Sequence, residues 1–441
     1  MVLSYHRHAP NRISVIFILK ISILIIMIEI KEEQERRTRA LLIGAPEDDL
    51  SELKGLADTL GMEQAQALTL TRLEVQPAYG MGKGKAAELA DLAKEIQADC
   101  IIFDFQIDPT KQRNWEKLAG IPVFDREEVI LRIFARRAQT HEAVLQVELA
   151  RLQYSLPRLA HSYGDMARQR GGSYGAKGSG ETQLELDQRQ VRERIYQTKQ
   201  ELKTVASGRG TQRKRRERIP LSTCALVGYT NAGKSSLLNA LTGADVFVEN
   251  KLFATLDPTT RRLPLKEGGS LLLTDTVGFI SNLPHTLVDA FKSTLEEAAK
   301  ADLLLLVIDA ADPNAETQYK TVCTVLEEIG AGKKPRIILL NKTDKLDSDG
   351  VRLAQLKVTF PGALCVSAKE KTGFGELAAL MSEMLLGEKR DYVLPVSEKA
   401  LLDEIRRSGL ILDEKWMDDG IHVTARTSGK PLALITPYLV Q

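Results

Sequence analysis

Four short segments between Gly228 and Lys369 contain residue types whose spacing would suit them to bind a nucleoside triphosphate. The first follows a strand-like LSTCALVG, where Gly228 and Gly233 enclose four residues and precede Lys234 and Ser235. A glycine-rich turn between a strand and a helix lets backbone N–H groups surround phosphates, whose charge the helix N-terminus favours. We expect Lys234 to reach the β- and γ-phosphates and the Ser235 hydroxyl to bind Mg²⁺.

Further along, the sequence offers oxygen ligands for the same metal. In SLLLTDTVGF an apolar strand ends at Asp275, where a carboxylate can hold Mg²⁺, and the Gly278 N–H can meet the γ-phosphate. Before this strand lies LFATLDPTTRR, at the place where a mobile switch would supply a second ligand that senses the γ-phosphate. We predict Thr255 as that ligand. Thr259 and Thr260 are alternatives, and an ordinary Thr-rich turn stays open.

The last two segments would recognise the base. RIILLNKTD ends a strand with Asn341, Lys342 and Asp344, and ALCVSAK places Ser367 and Lys369 after another strand. The Asp344 carboxylate can accept hydrogen bonds from the N1–H and N2–H₂ groups of guanine, a pairing that adenine does not offer. The four segments, in this order and after these strands, predict a site for GTP or GDP.

These segments need a fold that brings several strand ends together, and a doubly wound P-loop GTPase domain is expected over residues 219–388. Before it, apolar runs alternate with amphipathic ones over residues 40–125, which predicts a small parallel α/β domain over residues 38–140. We expect a small α+β domain over residues 389–441. The fold class is therefore α/β.

Helical patterns fill the region between the two α/β domains. One long helix is expected over residues 126–156, with leucines every three or four positions on one face. A Gly-rich loop at residues 170–181 interrupts the pattern, and a second helix follows. These stripes predict an antiparallel helical pair within residues 141–218 that ends in a basic linker at residues 208–218. The RKRR in that segment either touches RNA phosphates or is solvated.

The amino-acid composition says little about which molecules the protein binds. Lys and Arg number 60 against 59 for Asp and Glu, so net charge points to neither nucleic acid nor membrane. The four cysteines fit neither a zinc site nor a disulfide framework and are expected to be reduced thiols. Residues 1–37 form an extension whose apolar run, 13–30, is broken by Lys20 and Glu29. It is either a signal anchor or upstream sequence before a start at Met27.

From about Leu41 to the C-terminus, the motifs together resemble the HflX family of translation-factor-class GTPases. The segments that carry the resemblance are YGMGKGKAAEL at Tyr79, DPTKQRNWE at Asp108, DREEVILRIFARRAQTHEAVLQVELARLQYSLPRL at Asp125, GSGETQLELDQR at Gly178, GYTNAGKS at Gly228, LFATLDPTTRR at Leu252 and DTVGFI at Asp275. The chain departs from the family pattern in the Gly-rich loop, where Lys177 and Ser179 replace the usual arginine and proline.

The resemblance implies a cytoplasmic, Mg²⁺-dependent GTPase that binds the large ribosomal subunit through rRNA and proteins. It further implies that the protein splits stalled or idle ribosomes under stress. We expect no DNA partner and a monomer, with peripheral membrane association left open through residues 13–30. The alternative is a ribosome-docking protein that uses GTP only as a conformational timer.

One position bears on catalysis. Phe279 follows Gly278 and has no group that could orient the attacking water, as glutamine does in many GTPases. In resembling GTPases with a hydrophobic residue there, an asparagine at the position of Asn231 holds K⁺ near the phosphates. A loop-stabilising role for Asn231 stays open.

The complete set of expected site residues follows from these arguments. Catalytic roles are expected for Lys234, Asn231, Thr255 and Gly278, and metal binding for Ser235, Thr255 and Asp275. The predicted nucleotide site comprises Gly228, Tyr229, Thr230, Asn231, Ala232, Gly233, Lys234, Ser235, Phe253, Ala254, Thr255, Leu256, Asp257, Asp275, Thr276, Val277, Gly278, Asn341, Lys342, Thr343, Asp344, Ser367, Ala368 and Lys369.

Overall fold

The computed structural model describes residues 37–46, 49–72, 76–162, 179–216, 221–244, 249, 251–265, 269–281, 297–346, 350–427 and 429–440. The chain divides at Val129 into two compact units. The apolar run at residues 13–30 and the alternative start at Met27 lie outside the described residues. Within the described part of the chain, no helix is both long enough and apolar enough to span a membrane.

The first unit is an alternation of strands and helices. Its elements are β1 (Arg39–Gly44), α1 (Ser51–Thr59), β2 (Glu63–Thr69), α2 (Lys83–Glu95), β3 (Cys100–Phe103), α3 (Pro109–Ala119) and β4 (Val123–Asp125). The strands form one parallel sheet in the order β2-β1-β3-β4. The two central strands are apolar and almost completely buried, as expected for a parallel sheet covered on both faces. This confirms the small α/β domain predicted from the sequence.

The ends of α3 follow from local sequence. The Asp108 carboxylate accepts a 3.0 Å hydrogen bond from the Lys111 N–H, and Gly120 ends the helix with a φ of 75°. Between them, the buried Trp115 donates from Nε1 to the backbone carbonyl of Tyr79 at 3.0 Å.

Among the described residues, the next helices are α4 (Arg126–Arg137), α5 (His141–Ser162) and α6 (Ser179–Arg216). Helices α5 and α6 pack against each other, which confirms the predicted helical pair. The Arg194 guanidinium on α6 donates two hydrogen bonds to Glu148 on α5, at 2.7 and 2.9 Å. Leu145 and Leu149, from the predicted leucine stripe, are buried.

The prediction of one helix over residues 126–156 is wrong, because the chain leaves the helix at residues 138–140. The Thr140 hydroxyl accepts a 3.1 Å hydrogen bond from the Ala143 N–H and so caps a new helix. The N–H groups of Gln139 and Thr140 donate to the Asp257 carboxylate, at 3.3 Å each, instead of to helix carbonyls. Side-chain capping therefore interrupts a pattern that looks continuous in the sequence.

The boundaries of α6 also differ from the prediction. The helix begins at Ser179, inside the segment predicted as a Gly-rich loop, and the earlier residues of that loop lie outside the described residues. At its other end it continues to Arg216, so residues 208–216 are helical and not a linker. Arginine, lysine and glutamine are good helix formers, which is why a basic composition alone does not predict a break.

The P-loop part of the second unit is a six-stranded sheet with helices. Its elements are β5 (Thr223–Gly228), α7 (Lys234–Thr242), β6 (Thr259–Pro264), β7 (Ser270–Asp275), β8 (Leu303–Asp309), α8 (Ala315–Glu328), β9 (Arg336–Asn341), α9 (Val351–Thr359), β10 (Leu364–Cys365) and α10 (Phe374–Leu386). The strand order is β10-β9-β8-β5-β7-β6, with only β6 antiparallel to its neighbour. The carboxyl ends of β5, β7 and β9 therefore meet at one edge, as the motif positions require.

A small α+β domain ends the chain, as predicted. It contains β11 (Lys389–Leu394), α11 (Lys399–Ser408), β12 (Leu410–Met417), β13 (Gly420–Arg426) and α12 (Gly429–Ile435). The strands form an antiparallel sheet in the order β11-β13-β12. Tyr392, Ile405, Ile421 and Val423 are among the buried residues of its core.

Candidate nucleotide site

The phosphate-binding loop joins β5 to α7 and depends on two glycines. Gly228 has a φ of 155°, and a Cβ there would lie 2.3 Å from the carbonyl oxygen of Val307. Gly233 has a φ of 92°, and a Cβ there would lie 2.4 Å from the side-chain nitrogen of Asn341. Neither position can accept a side chain without movement of its neighbours. The two glycines of the motif are therefore required by close packing as well as by backbone conformation.

Lys234 begins α7 and is buried. Its Nζ donates to two carbonyls of the loop, those of Gly228 at 3.1 Å and Tyr229 at 2.8 Å. Burial lowers the pKa of the Lys234 ammonium to about 8, although Asp275 opposes the change; Lys342 makes a smaller contribution in the same direction as burial. The ammonium is thus held inside the loop that would surround the phosphates.

Three oxygen atoms meet beside this lysine. The Ser235 hydroxyl donates to Asp275 Oδ2 at 2.5 Å and lies 2.7 Å from the hydroxyl of Thr255. Burial raises the pKa of the Asp275 carboxyl, although Lys234 and the two hydroxyls oppose that change. Asp275 Oδ1 is buried without a hydrogen-bond partner. A buried carboxylate oxygen without a partner, next to two hydroxyls, is the kind of ligand set that Mg²⁺ accepts.

The alternatives to Thr255 lie elsewhere. Thr259 and Thr260 belong to β6, and the Thr260 hydroxyl lies 2.9 Å from that of Thr274 on β7. Of the three candidates, Thr255 is thus the one that contacts Ser235.

Lys234, Ser235 and Thr255 line an open cleft with an empty volume of about 420 Å³, including solvent at its mouth. Three of its lining residues, Ser236, Glu249 and Lys251, were missed from the sequence. Ser236 and Lys251 directly adjoin predicted segments, but Glu249 lies outside every motif and could not be found that way. The predicted residues in the lining are Thr230, Asn231, Gly233, Lys234, Ser235, Phe253, Ala254, Thr255, Thr276 and Gly278.

Two other predicted residues, Leu256 and Val277, are buried. Thr276 lines the cleft, but its hydroxyl donates to the carbonyl of Leu226 at 2.7 Å. The Asp257 carboxylate accepts hydrogen bonds from the α4–α5 break at residues 138–140.

The base-recognition segments come together at the end of β9. The Asn341 side chain donates to the carbonyl of Ala232 at 2.9 Å and accepts from the Ala368 N–H at 3.2 Å. Asp344 Oδ1 accepts a 2.6 Å hydrogen bond from the Ser367 hydroxyl. Asn341 therefore joins the phosphate loop to the second base segment, while Ser367 orients the carboxylate expected to read guanine.

Two neighbours complete this end of the site. The Thr343 hydroxyl donates to the carbonyl of Val366 at 3.0 Å. Lys342, with a φ of 61°, forms a 2.7 Å ion pair with Asp309 at the end of β8. Asp309 was also missed from the sequence, because only the sheet order places β8 beside β9.

Phe279 and Asn231 occupy contrasting environments. The Phe279 side chain is buried, and its backbone accepts from the Thr230 N–H at 2.7 Å and donates to the carbonyl of Gly228 at 3.1 Å. Asn231 is exposed at the loop with a φ of 60°. Phe279 thus stabilises the loop and offers no polar group to a water molecule.

The fold and this site define a P-loop GTPase. Three family models match consecutive stretches of the chain. They are described as GTP-binding GTPase N-terminal, over residues 47–135, GTP-binding GTPase Middle Region, over residues 137–216, and 50S ribosome-binding GTPase, over residues 223–342.

Similar proteins named GTPase HflX cover most of the chain. The one from Akkermansia muciniphila is 45% identical over 415 residues, which are 89% of this chain and 95% of that protein. The one from Caldanaerobacter subterraneus subsp. tengcongensis is 41% identical over 426 residues, 95% of this chain and 97% of that protein. The chain belongs to the HflX family of GTPases, and it is a GTP-binding and GTP-hydrolysing enzyme.

A solved structure shows a more distant likeness. The crystal structure of a GTP-binding protein from the hyperthermophilic archaeon Sulfolobus solfataricus, in complex with GDP, is 24% identical to this chain. It matches 78% of this chain and 98% of its own with a TM-score of 0.43, which is too low to support a conclusion about the site.

Proposed function

We propose that this GTPase binds Mg²⁺ and GTP in the cleft described above, and that Ser235, Thr255 and Asp275 hold the metal. The proposal rests on the short oxygen contacts among these residues and on the unpartnered Asp275 Oδ1. When bound there, Mg²⁺ would neutralise charge on the β- and γ-phosphates. Titrating a fluorescent GTP analogue with Mg²⁺, in the wild type and in Asp275→Asn, tests the assignment. Equal Mg²⁺ dependence of the two proteins would refute it.

Groups of the protein that are already in place before the reaction would stabilise the transferred phosphoryl group. Lys234 carries a charge that is already desolvated, so it needs little reorganisation to interact with the β- and γ-phosphates. The Gly278 N–H would meet the γ-phosphate. At the base, Asp344, held by Ser367, would accept from the guanine edge, and Asn341 would align the loop with it.

The Phe279 side chain has no polar group that could orient the attacking water, so another group must assist hydrolysis. We propose that Asn231, exposed at the loop, holds a K⁺ ion that supplies positive charge near the phosphates. Replacing K⁺ by Na⁺ should then slow hydrolysis in the wild type but not in Asn231→Ala. An identical response of both proteins would leave Asn231 with a loop-stabilising role.

For the biological role, we propose that this cytoplasmic, monomeric protein binds the large ribosomal subunit and splits stalled or idle ribosomes under stress. The support is the match to the family model described as 50S ribosome-binding GTPase, together with membership of the HflX family. Light scattering of 70S ribosomes mixed with the protein and a non-hydrolysable GTP analogue tests the role directly. The Lys234→Ala variant serves as the negative control. If the wild type causes no more loss of scattering than this variant, the proposed role is contradicted.

The Gly-rich segment at residues 170–181 provides a finer test. If it enters a functional site of the ribosome, a shortened variant should bind large subunits normally and split ribosomes slowly. Normal splitting by that variant would exclude the role.

The buried Phe279 also favours a second candidate, in which GTP acts as a conformational timer on a ribosome-docking protein. Hydrolysis rates with and without large subunits separate the two. Strong stimulation supports a ribosome-triggered enzyme, and its absence supports the timer.

A further inference from the structure

The segment around Thr255 is held by residues at the break between α4 and α5, all of them within the second compact unit. We name residues 251–258 the Thr255 segment and residues 138–140 the α4–α5 junction. Among the described residues, three sets of contacts connect the Thr255 segment and the neighbouring Glu249 to this junction and to α4.

The first contact is aromatic. The rings of Phe253 and Phe134, the latter on α4, pack edge to face with centroids 4.6 Å apart and planes at 84°. Both side chains are almost fully buried. Phe253 has a φ of 55°, a conformation that a bulky residue adopts only when its surroundings enforce it. The aromatic contact thus stabilises a backbone conformation that the segment would not favour alone.

The second contact is at the N-terminus of α5. The Asp257 carboxylate accepts hydrogen bonds from the N–H groups of Gln139 and Thr140, at 3.3 Å each, and one from the Thr140 hydroxyl. Helix α5 is 22 residues long, and the first N–H groups of a helix lack partners within it. A carboxylate at that end is favoured by both the donors and the helix dipole. The Thr255 segment therefore supplies part of the cap of α5.

The third contact is ionic. Arg137, at the last position of α4, pairs with Glu249, which lines the nucleotide cleft and precedes the Thr255 segment. Lys251 lies 2.9 Å from the same carboxylate. The pair is partly shielded from water, with about a quarter of each side chain exposed. It adds a third attachment, on the amino-terminal side of Thr255.

These attachments bracket Thr255, because Phe253 and Asp257 lie two residues on either side of it. With both flanks fixed, the Thr255 hydroxyl lies 2.7 Å from that of Ser235. We propose that Phe134, Arg137 and Thr140 are positioning residues for GTP hydrolysis. They hold the Thr255 segment in the conformation in which Thr255 reaches the metal site. The inference rests on the proposed role of Thr255 as a metal ligand.

Linkage makes the effect reciprocal. A ligand that favours the docked Thr255 segment must also stabilise the α4–α5 junction by the same free energy. The helical pair that begins at this junction would therefore respond to the nucleotide without contacting it.

The experiment uses the full-length chain and measures hydrogen exchange of residues 251–258 without nucleotide or metal. Thr140→Val removes the hydroxyl at nearly constant size, whereas Thr140→Ser keeps it. Arg137→Glu reverses the charge that pairs with Glu249, and Arg137→Lys keeps that charge. Lys320→Glu, an exposed charge reversal on α8, is the matched control. The Mg²⁺ concentration for half-maximal binding of a non-hydrolysable GTP analogue is measured on the same proteins.

We expect Thr140→Val and Arg137→Glu to increase both exchange of the segment and the Mg²⁺ requirement by about fivefold or more, the usual size of coupling between sites. Thr140→Ser, Arg137→Lys and Lys320→Glu should match the wild type, and Mg²⁺-free GDP affinity should not change. The proposal is overturned if Thr140→Val exchanges like Thr140→Ser, or if Arg137→Glu exchanges like Arg137→Lys. Analogue binding by the wild type that is independent of Mg²⁺ would instead contradict the metal assignment, while the exchange data would still test the docking.

Discussion

The side-chain amide of Asn341 donates a 2.9 Å hydrogen bond to the backbone carbonyl of Ala232, across 109 positions of the chain. The other end of the same amide accepts from the Ala368 N–H at 3.2 Å. One buried side chain thus connects the phosphate loop with both base segments. Because the buried Ala232 carbonyl would lose its partner without this amide, Asn341 links the positions of the three segments.

Asn341→Ala should therefore weaken the binding of GTP and of GDP by the same factor. Leaving a buried acceptor or donor unpaired costs ~1–3 kcal/mol, which corresponds to about fivefold to 150-fold in affinity. Isothermal titration with both nucleotides measures the effect. Asn114→Ala is the matched control, since it removes a 2.9 Å bond of the same kind to the carbonyl of Ala78 in the first unit. A change in the GTP to GDP ratio would argue against a purely structural role for Asn341.

Asp344→Asn should change base preference instead. The amide presents a donor where guanine also has donors, so GTP should bind about tenfold to a hundredfold more weakly, as expected for loss of a charged hydrogen bond worth ~1.5–3 kcal/mol. Xanthine nucleotides, whose C2 carbonyl can accept a hydrogen bond from the new amide, should bind the variant more tightly than they bind the wild type. Ser367→Ala should show a smaller effect in the same direction, because it removes only the 2.6 Å support. Unchanged GTP affinity would disprove the assignment of Asp344.

Lys234→Met should change stability and nucleotide binding in opposite directions. Burial of the ammonium lowers the pKa of Lys234 to about 8, so holding the charge in this position costs free energy in the nucleotide-free protein. Methionine removes that cost, and the melting temperature without nucleotide should rise, by roughly 2–4 °C per kcal/mol for a domain of about 150–250 residues. Triphosphate binding should fall sharply. If the variant binds the triphosphate normally, Lys234 does not contact the phosphates.

Gly278→Ala should impair triphosphate binding and hydrolysis more than GDP binding. A Cβ there would lie 2.8 Å from Thr230 Cα and 3.0 Å from Lys234 Nζ, so the backbone expected to meet the γ-phosphate must shift. Gly375→Ala in α10 is the control, since a Cβ there meets nothing within 4 Å and alanine favours a helix. Hydrolysis rates and binding titrations measure both variants. If Gly278→Ala weakens GTP and GDP binding equally, Gly278 does not act through the γ-phosphate.

Replacing Arg213, Lys214, Arg215 and Arg216 by alanine tests the basic end of α6. Each lysine or arginine that contacts an RNA phosphate releases counterions, so losing it should weaken binding to large subunits and flatten its salt dependence. The logarithmic slope should decrease by ~0.7–0.9 for each lost contact. Nucleotide affinity should stay unchanged because β5 begins after this segment. Equal affinity and slope in wild type and variant would show that the four charges are only solvated.

The strand-end motifs and the fold class could be predicted from the amino-acid sequence alone. Glycine, lysine, serine and aspartate at fixed spacing after apolar strands leave few other structures in which the phosphates, metal and base could be bound. The Gly228–Ser235 loop, the strand ending at Asp275 and the strand ending at Asn341 all lie where the motifs predict. Local rules suffice here because each motif is contiguous in the chain.

Contacts between residues that are distant in the sequence became visible only in the folded chain. The ion pairs of Lys342 with Asp309 and Arg137 with Glu249 depend on strand order and on helix packing, which no local pattern encodes. The predicted helix over residues 126–156 fails for the same reason. Its break is stabilised by Asp257, more than a hundred positions away, which accepts the N–H groups that an uninterrupted helix would use internally. Backbone groups take whichever partners the folded chain brings to them, so contacts distant in sequence determined this boundary and, with it, the surroundings of Thr255.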